Sequence, residues 1–271
     1  MNYSLHLAIV VITLLGSTQT FAKPGGLPTS QVSLSGGPYT PLVSSSNEEQ
    51  RDHYDLYYGD TNEYIFGNRP ILTTLEFTNY IWNGSGMLGI TTGFGLWTIA
   101  GNARRCLAPP TEEDATEELF SDCVPGEMSD SVEGSTETQF KIAPLHLGLT
   151  YRSNHLHQQF GIPVDFYVKG GLDYYLWSST TAGQTALIPT EDGESEEGSG
   201  GTPGYHLGAG IAFNLDWIDP QRPSYSQSGY QLAGSYLFME VNKISVDGFG
   251  DESRLDMSST HFSTGISIDF L

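Results

Sequence analysis

Between Tyr205 and Trp217 every odd position is apolar or aromatic: Tyr205, Leu207, Ala209, Ile211, Phe213, Leu215 and Trp217. Every even position is small or polar: His206, Gly208, Gly210, Ala212, Asn214 and Asp216. Successive side chains of a strand point to opposite faces, so the pattern predicts one β-strand with an apolar face and a polar, glycine-rich face. The run is longer than the ~5–6 residues of an average strand and reaches the ~9–11 that a tilted strand needs to cross a bilayer. Aromatic residues close the apolar face at both ends, where membrane interfaces favour them.

The same period recurs along the chain. Val32 to Pro41 is a short first strand ended by its prolines. Ile71 to Trp82 sets Ile71, Thr73, Leu75, Phe77 and Ile81 against Thr74, Glu76, Thr78 and Tyr80. After the tight turn Asn83-Gly84-Ser85-Gly86, Met87 to Ala100 returns with Leu88, Ile90, Phe94 and Leu96 on the apolar face. Phe140 to Arg152 carries Leu145, Leu147, Leu149 and Tyr151, with a bulge expected where Pro144 interrupts the phase. Val164 to Trp177, Tyr230 to Val246 and Met257 to Leu271 complete the set. With Tyr205 to Trp217 this makes eight strands, an even number as bacterial single-chain barrels have.

The connections alternate as well. Those after strands one, three, five and seven are long or acidic, and those after two, four and six are shorter. Gly101 to Glu137, Ser178 to Pro203 and Asp247 to Asp256 read as solvated acidic loops. Short periplasmic turns and long outer loops produce such asymmetry, which puts both termini in the periplasm. Alternation alone does not say which face is inside, because a lipocalin-like soluble barrel would bury the apolar face. Glycine on the polar phase (Gly93, Gly95, Gly148, Gly171, Gly208), beside tyrosines and Trp97, suits a crowded polar lumen better than a solvated exterior. The expected fold is therefore all-β: an eight-stranded antiparallel transmembrane β-barrel with long acidic extracellular loops.

Composition narrows the setting. Leu5 to Leu15 is apolar but too short for a ~20-residue membrane helix, and Thr20-Phe21-Ala22 follows it as a signal-peptidase site. Residues 1–22 are thus a secretory signal, although His6 stands where Lys or Arg is usual; 23–31 form a short leader and 32–271 the barrel. The net charge of −21 and the lack of a basic tract exclude nucleic acid as a partner. Cys106 and Cys123, an even pair in an exported chain, read as a disulfide worth roughly 3 kcal/mol in the chain-entropy model.

Two resemblances add to this. The chain ends in alternating Ile266, Ile268 and Phe270, which resembles the C-terminal aromatic signal that outer-membrane proteins present to the barrel-assembly machinery. The runs Leu34 to Pro41, Tyr58-Gly59-Asp60, Tyr167 to Tyr174, Leu215-Asp216-Trp217 and Val246 to Gly250 together resemble an uncharacterised myxobacterial-type bacterial outer-membrane β-barrel family. More loosely, the architecture is similar to the small OmpX/OmpA-type barrels. The resemblance implies fold and outer-membrane location, and no established activity.

Candidate chemistry follows from the polar phase. Glu76, Arg152, Asp165, Lys169, Asp173, Asp216, Glu240 and Asp269 are assigned to a lumen charge network, in which each charge must find a partner. Lys169 is flanked on its own face by Asp165 and Asp173 and is expected to pair with neighbouring acids. Such a network is either structural filling or a cation-preferring path. His261-Phe262-Ser263 resembles the His-x-Ser element of outer-membrane lipid A deacylases, but it falls on the polar phase, whereas that family's pair faces lipid. No catalytic set, metal site or cofactor is assigned. The expected partners are outer-membrane lipid and lipopolysaccharide, with the acidic loops, Asp247 to Glu252 included, as candidate sites for divalent cations. The expected role is structural, adhesive or ligand-displaying, with a narrow pore and, behind it, a lipid-modifying enzyme as alternatives.

Overall fold

A computed structural model describes residues 28–41, 70–107, 120–121, 131–153, 160–185, 187–189, 195–217, 232–251 and 254–271; for 101–107, 120–121, 131–137, 187–189 and 195–197 it describes backbone alone. Eight long strands form the wall: β1 (Ser30–Pro38), β2 (Ile71–Asn83), β3 (Met87–Leu107), β4 (Ser131–Ser153), β5 (Val164–Thr181), β6 (Ser199–Asn214), β7 (Leu232–Ser245) and β8 (Ser259–Phe270). Each pairs antiparallel with its sequence neighbours, and β8 pairs with β1, so the sheet closes. Closure gives every wall strand a partner on both sides, although β3 beyond Leu96 has no register partner on β2 and β4 before Thr138 has none on β5.

The register fixes the barrel's dimensions. Stepping across the wall from Ser30 meets Asn79, Ile90, Leu149, Gly170, Leu207, Lys243 and Thr260 in turn. Continuing the β1–β8 register, Thr260 faces position 40, ten residues along β1 from the start. Eight strands with a shear of ten give a tilt of about 42° and a backbone radius of about 8 Å. A lumen of that width has room for side chains and little else.

The apolar phase faces outward. Leu34, Leu75, Phe94, Leu147, Val168, Leu207, Met239 and Ile266, one from each strand, are exposed. The opposite phase is buried and mostly polar: Ser33, Thr78, Thr91, Thr150, Asp173, His206, Glu240 and Ser267. This is the inverse of a soluble protein. On β2 the outward run from Ile71 to Ile81 is about 33 Å of strand, which the tilt projects to about 25 Å along the barrel axis.

Four expectations need correction. The β3–β4 ladder extends beyond Ala100 and begins before Phe140, with Asn102 opposite Glu137 and Arg104 opposite Glu133. Acidic composition does not prevent pairing, because the ladder is made by backbone groups, and Val132, Thr136 and Thr138 favour extended backbone. Pro144 makes no bulge: the register is unbroken from Thr138 to Ser153 against β5. What looked like a phase shift is a run of apolar residues on the inward face. Strand six starts at Ser199 rather than Tyr205 and stops at Asn214, and Leu215–Trp217 turn into a 3-10 helix. Finally, the described part of Asp247 to Asp256 is more than a solvated loop, since Leu255 packs with buried Val246 and Met257 over the lumen.

Candidate functional site

The lumen is filled in levels. At the rim holding both barrel termini, Arg152 donates from Nε and Nη2 to Asp165 Oδ2 at 3.0 and 2.7 Å, and from Nη1 to Asp269 Oδ2 at 2.8 Å. Gln31 donates to Asp269 Oδ1 at 2.9 Å, and the guanidinium lies 3.9 Å from the centroid of the Tyr236 ring. Arg152 comes from β4 and Asp269 from β8, on the far side of the barrel. One cation thus ties opposite walls together.

The second level is built on Lys169. Its ammonium donates to Glu76 at 2.9 and 3.1 Å and to Glu240 at 3.0 Å. Glu240 also accepts from Tyr167, Asn242 and Ser263 at 2.8–2.9 Å. Two features of the wall make room for this crossing. A Cβ on Gly208 would come within 3.0 Å of Lys169 Cγ, and one on Gly93 within 2.9 Å of Glu76 Cγ. These lumen glycines are therefore clearance for long charged side chains.

The third level is a histidine pair. His146 and His206 each place Nδ1 at 2.7 Å from Oδ1 of Asp173. Their rings meet edge to face, with centroids 5.5 Å apart. Between these polar levels lie two cavities of about 30 Å³ each, one beside Arg152, Tyr167 and Lys169 and one beside Lys169, His146, His206 and His261. Each holds a water or two at most.

Above the histidines the lumen turns apolar. Tyr39, Leu72, Trp97, Ile142, Tyr175, Ile244, Val246 and Met257 form a buried cluster at the rim of the long connections. Hydrogen bonds fix it: Trp97 Nε1 donates to the carbonyls of Tyr39 and Pro70 at 3.1 and 3.2 Å, and the Tyr39 hydroxyl donates to the Met257 carbonyl at 2.6 Å. Thr202 and Arg254 hold the covering segment by donating to the carbonyls of Leu255 and Gly201. The barrel is plugged at this end.

Of the eight charged residues assigned to the lumen from the sequence, seven line it, but the pairing differs from that expected. Lys169 does not reach Asp165 or Asp173. Residues four apart on one strand are about 13 Å apart, beyond a lysine's reach, so Lys169 crosses to β2 and β7 instead. Asp216 lies outside the network in the 3-10 turn after β6, where it accepts from Ser235 at 2.9 Å. His146 and His206 were missed, although both fall on the inward phase with Asp173. In the His261-Phe262-Ser263 element both polar side chains point into the lumen; Ser263 donates to Glu240, and the His261 ring packs on Tyr39 at 5.4 Å. The hydroxyl is thus held by a carboxylate and turned away from lipid. Asp247 accepts from the Phe249 amide, and Asp251 lies 3.7 Å from Arg254, while Glu252 is outside the described residues. The Cys106–Cys123 bond also lies outside them, since Cys123 is not described and Cys106 is known only by its backbone, opposite Ser121.

No family model and no curated protein matches the chain. Among solved structures, the N-terminal β-barrel domain of Pseudomonas aeruginosa OprF is similar at 8% identity, over 90% of this chain and 98% of that one, with a TM-score of 0.33. Neisserial surface protein A, NspA, is similar at 9% identity, over 91% and 98%, with a TM-score of 0.37. The eight-stranded closed barrel stands on the chain's own strand pairing.

Proposed function

We propose that the mature chain is a bacterial outer-membrane β-barrel with a closed lumen, serving a structural, adhesive or ligand-displaying role at the cell surface rather than catalysis. The membrane part of this reading is supported by the outward apolar band, whose height of about 25 Å matches the hydrocarbon belt of such barrels. Exposed Trp82 and Trp217 toward the terminal rim, and Tyr174 and Tyr205 toward the other, sit where interfacial girdles belong. Both termini then lie in the periplasm, and the plugged rim with its long acidic connections faces outward. Residues 1–22 would serve as the signal, and the barrel-assembly machinery, lipid and lipopolysaccharide as partners. Kinship with the myxobacterial-type barrel family belongs to the same proposal.

The observation that carries the closed reading is the filling of the lumen: two charge-paired levels, a histidine level and an aromatic plug, with only water-sized cavities between. A cation-preferring pore is favoured by one feature, the two carboxylates facing a single ammonium at Lys169. Planar-bilayer recording separates the two. The refolded chain is expected to migrate as a heat-modifiable band, to extract with detergent and to show no steady conductance. Ohmic, cation-selective steps would replace the structural reading with the pore. Recovery as a soluble periplasmic protein would remove the membrane reading altogether. The enzyme alternative requires lipid A acylation to change in a His261→Ala strain, and no change is expected.

A further inference from the structure

We infer that His146, Asp173 and His206 form a lumenal binding site for one divalent transition-metal ion of the zinc class. The three residues come from adjacent strands: His146 and Asp173 are register partners on β4 and β5, and His206 projects from β6 beside them. Their ligand-capable atoms lie within 4.8 Å of one another. Three neighbouring, paired strands hold them, so the set is largely organised before any ion arrives.

Three observations point to a cation. First, the Asp173 side chain is fully buried, and its Oδ2 has no hydrogen-bond partner, while Oδ1 takes both imidazoles. A buried carboxylate oxygen left bare is costly, and a bound cation satisfies it. Second, charge is unbalanced. Among the described lumen residues Arg152 and Lys169 face Glu76, Asp165, Asp173, Glu240 and Asp269, two cations against five carboxylates. At the His146 and Lys169 levels alone the count is one against three, and a divalent ion would cancel the excess. Third, the adjoining cavity has space for a water or two, and its wall carries a third imidazole, His261, with a buried, unpartnered Nδ1.

The donor set selects the ion. Two imidazoles and one carboxylate suit zinc and its first-row neighbours, whereas Ca²⁺ and Mg²⁺ take oxygen ligands. Zinc bonds of about 2.0–2.2 Å at tetrahedral angles separate ligand atoms by about 3.3 Å, so each 2.7 Å contact opens by roughly half an ångström on binding. Water from the adjoining cavity completes the coordination. On binding, each imidazole gives up the Nδ1 proton it donates to Asp173 and takes one at Nε2, so that Nδ1 ligates and both rings stay neutral. With the plug on one side and the Lys169 level on the other, the ion enters as the barrel closes.

The test uses the tag-free chain refolded in detergent with Zn²⁺ and an excess of Ca²⁺, which occupies oxygen-only sites on the acidic loops. The sample then passes over a chelating resin, and the retained metal is counted. About one zinc per chain is expected for wild type, and roughly tenfold less for the His146→Ala/His206→Ala double variant. Heat-modifiable migration checks that the variant folds; if it does not, Co²⁺ replaces Zn²⁺ and wild type is compared with His206→Gln. Wild type should then show the visible absorption of tetrahedral Co²⁺ bound to nitrogen, weakened in the variant. Wild type without retained metal or a Co²⁺ spectrum, or a folded variant holding as much as wild type, overturns the site and leaves a hydrogen-bonded His-Asp-His cluster.

Discussion

Replacing Lys169 with Met keeps the volume of the stem but removes the one cation at its level. Lys169, Glu76 and Glu240 have side chains only 8, 13 and 3% exposed. After the change two carboxylates face each other across a narrow lumen. Glu240 retains Asn242, Ser263 and Tyr167 as donors, but Glu76 loses both bonds from the ammonium. Removing one member of a buried ion pair costs about 3–5 kcal/mol, mostly as the penalty on the charge left behind. With a urea slope of roughly 2–3 kcal/mol/M, the unfolding midpoint of the refolded barrel should fall by about 1–2.5 M. Adding Glu76→Gln should recover part of the loss, because one unpaired charge goes with it; the coupling in the double-mutant cycle reports the pair itself. Urea titrations of the four proteins in lipid vesicles, followed by the heat-modifiable gel shift, measure all of this. An unchanged midpoint in Lys169→Met would mean that the ammonium is solvated and the lumen wet at that level, which refutes the packed-lumen reasoning.

Arg152→Gln should destabilise by a similar amount, about 3 kcal/mol, because Asp165 and Asp269 both lose their cation, and the same urea titration checks it. Trp97→Ala should cost about 3–5 kcal/mol through the cavity it opens in the plug, yet planar bilayers should still record no conductance, since the Arg152 and Lys169 levels remain filled. Cys106 and Cys123 should be bonded and outside the cell: a membrane-impermeant reductant should expose thiols to labelling on intact cells without unfolding the barrel. Thiols free before reduction would contradict the bond, and labelling only after lysis would contradict the topology.

The wall was readable in the sequence because its two faces meet opposite environments, so each strand declares its phase residue by residue. Leu207 and His206 could be assigned to opposite faces without any knowledge of their neighbours. The lumen was readable only as a set of inward residues, because their partners depend on register and closure. Nothing near Lys169 in sequence names Glu76 or Glu240; their proximity follows from a shear of ten around eight strands, a property of the whole ring. The histidine pair was hidden for the same reason, since His146 meets Asp173 only when β4 and β5 are aligned. One local signal was available and is instructive. Leu72, Trp97, Ile142, Ile244 and Val246 are apolar residues on the otherwise polar phase, and all lie toward the rim of the long connections. In a water-filled channel such residues would be exposed to water at the mouth. Gathered at one end of a narrow barrel, they bury one another, and Tyr39, Tyr175 and Met257 complete the cluster. A break in alternation confined to one rim therefore marks where a barrel is stoppered, and the pattern that identifies the wall also locates its seal.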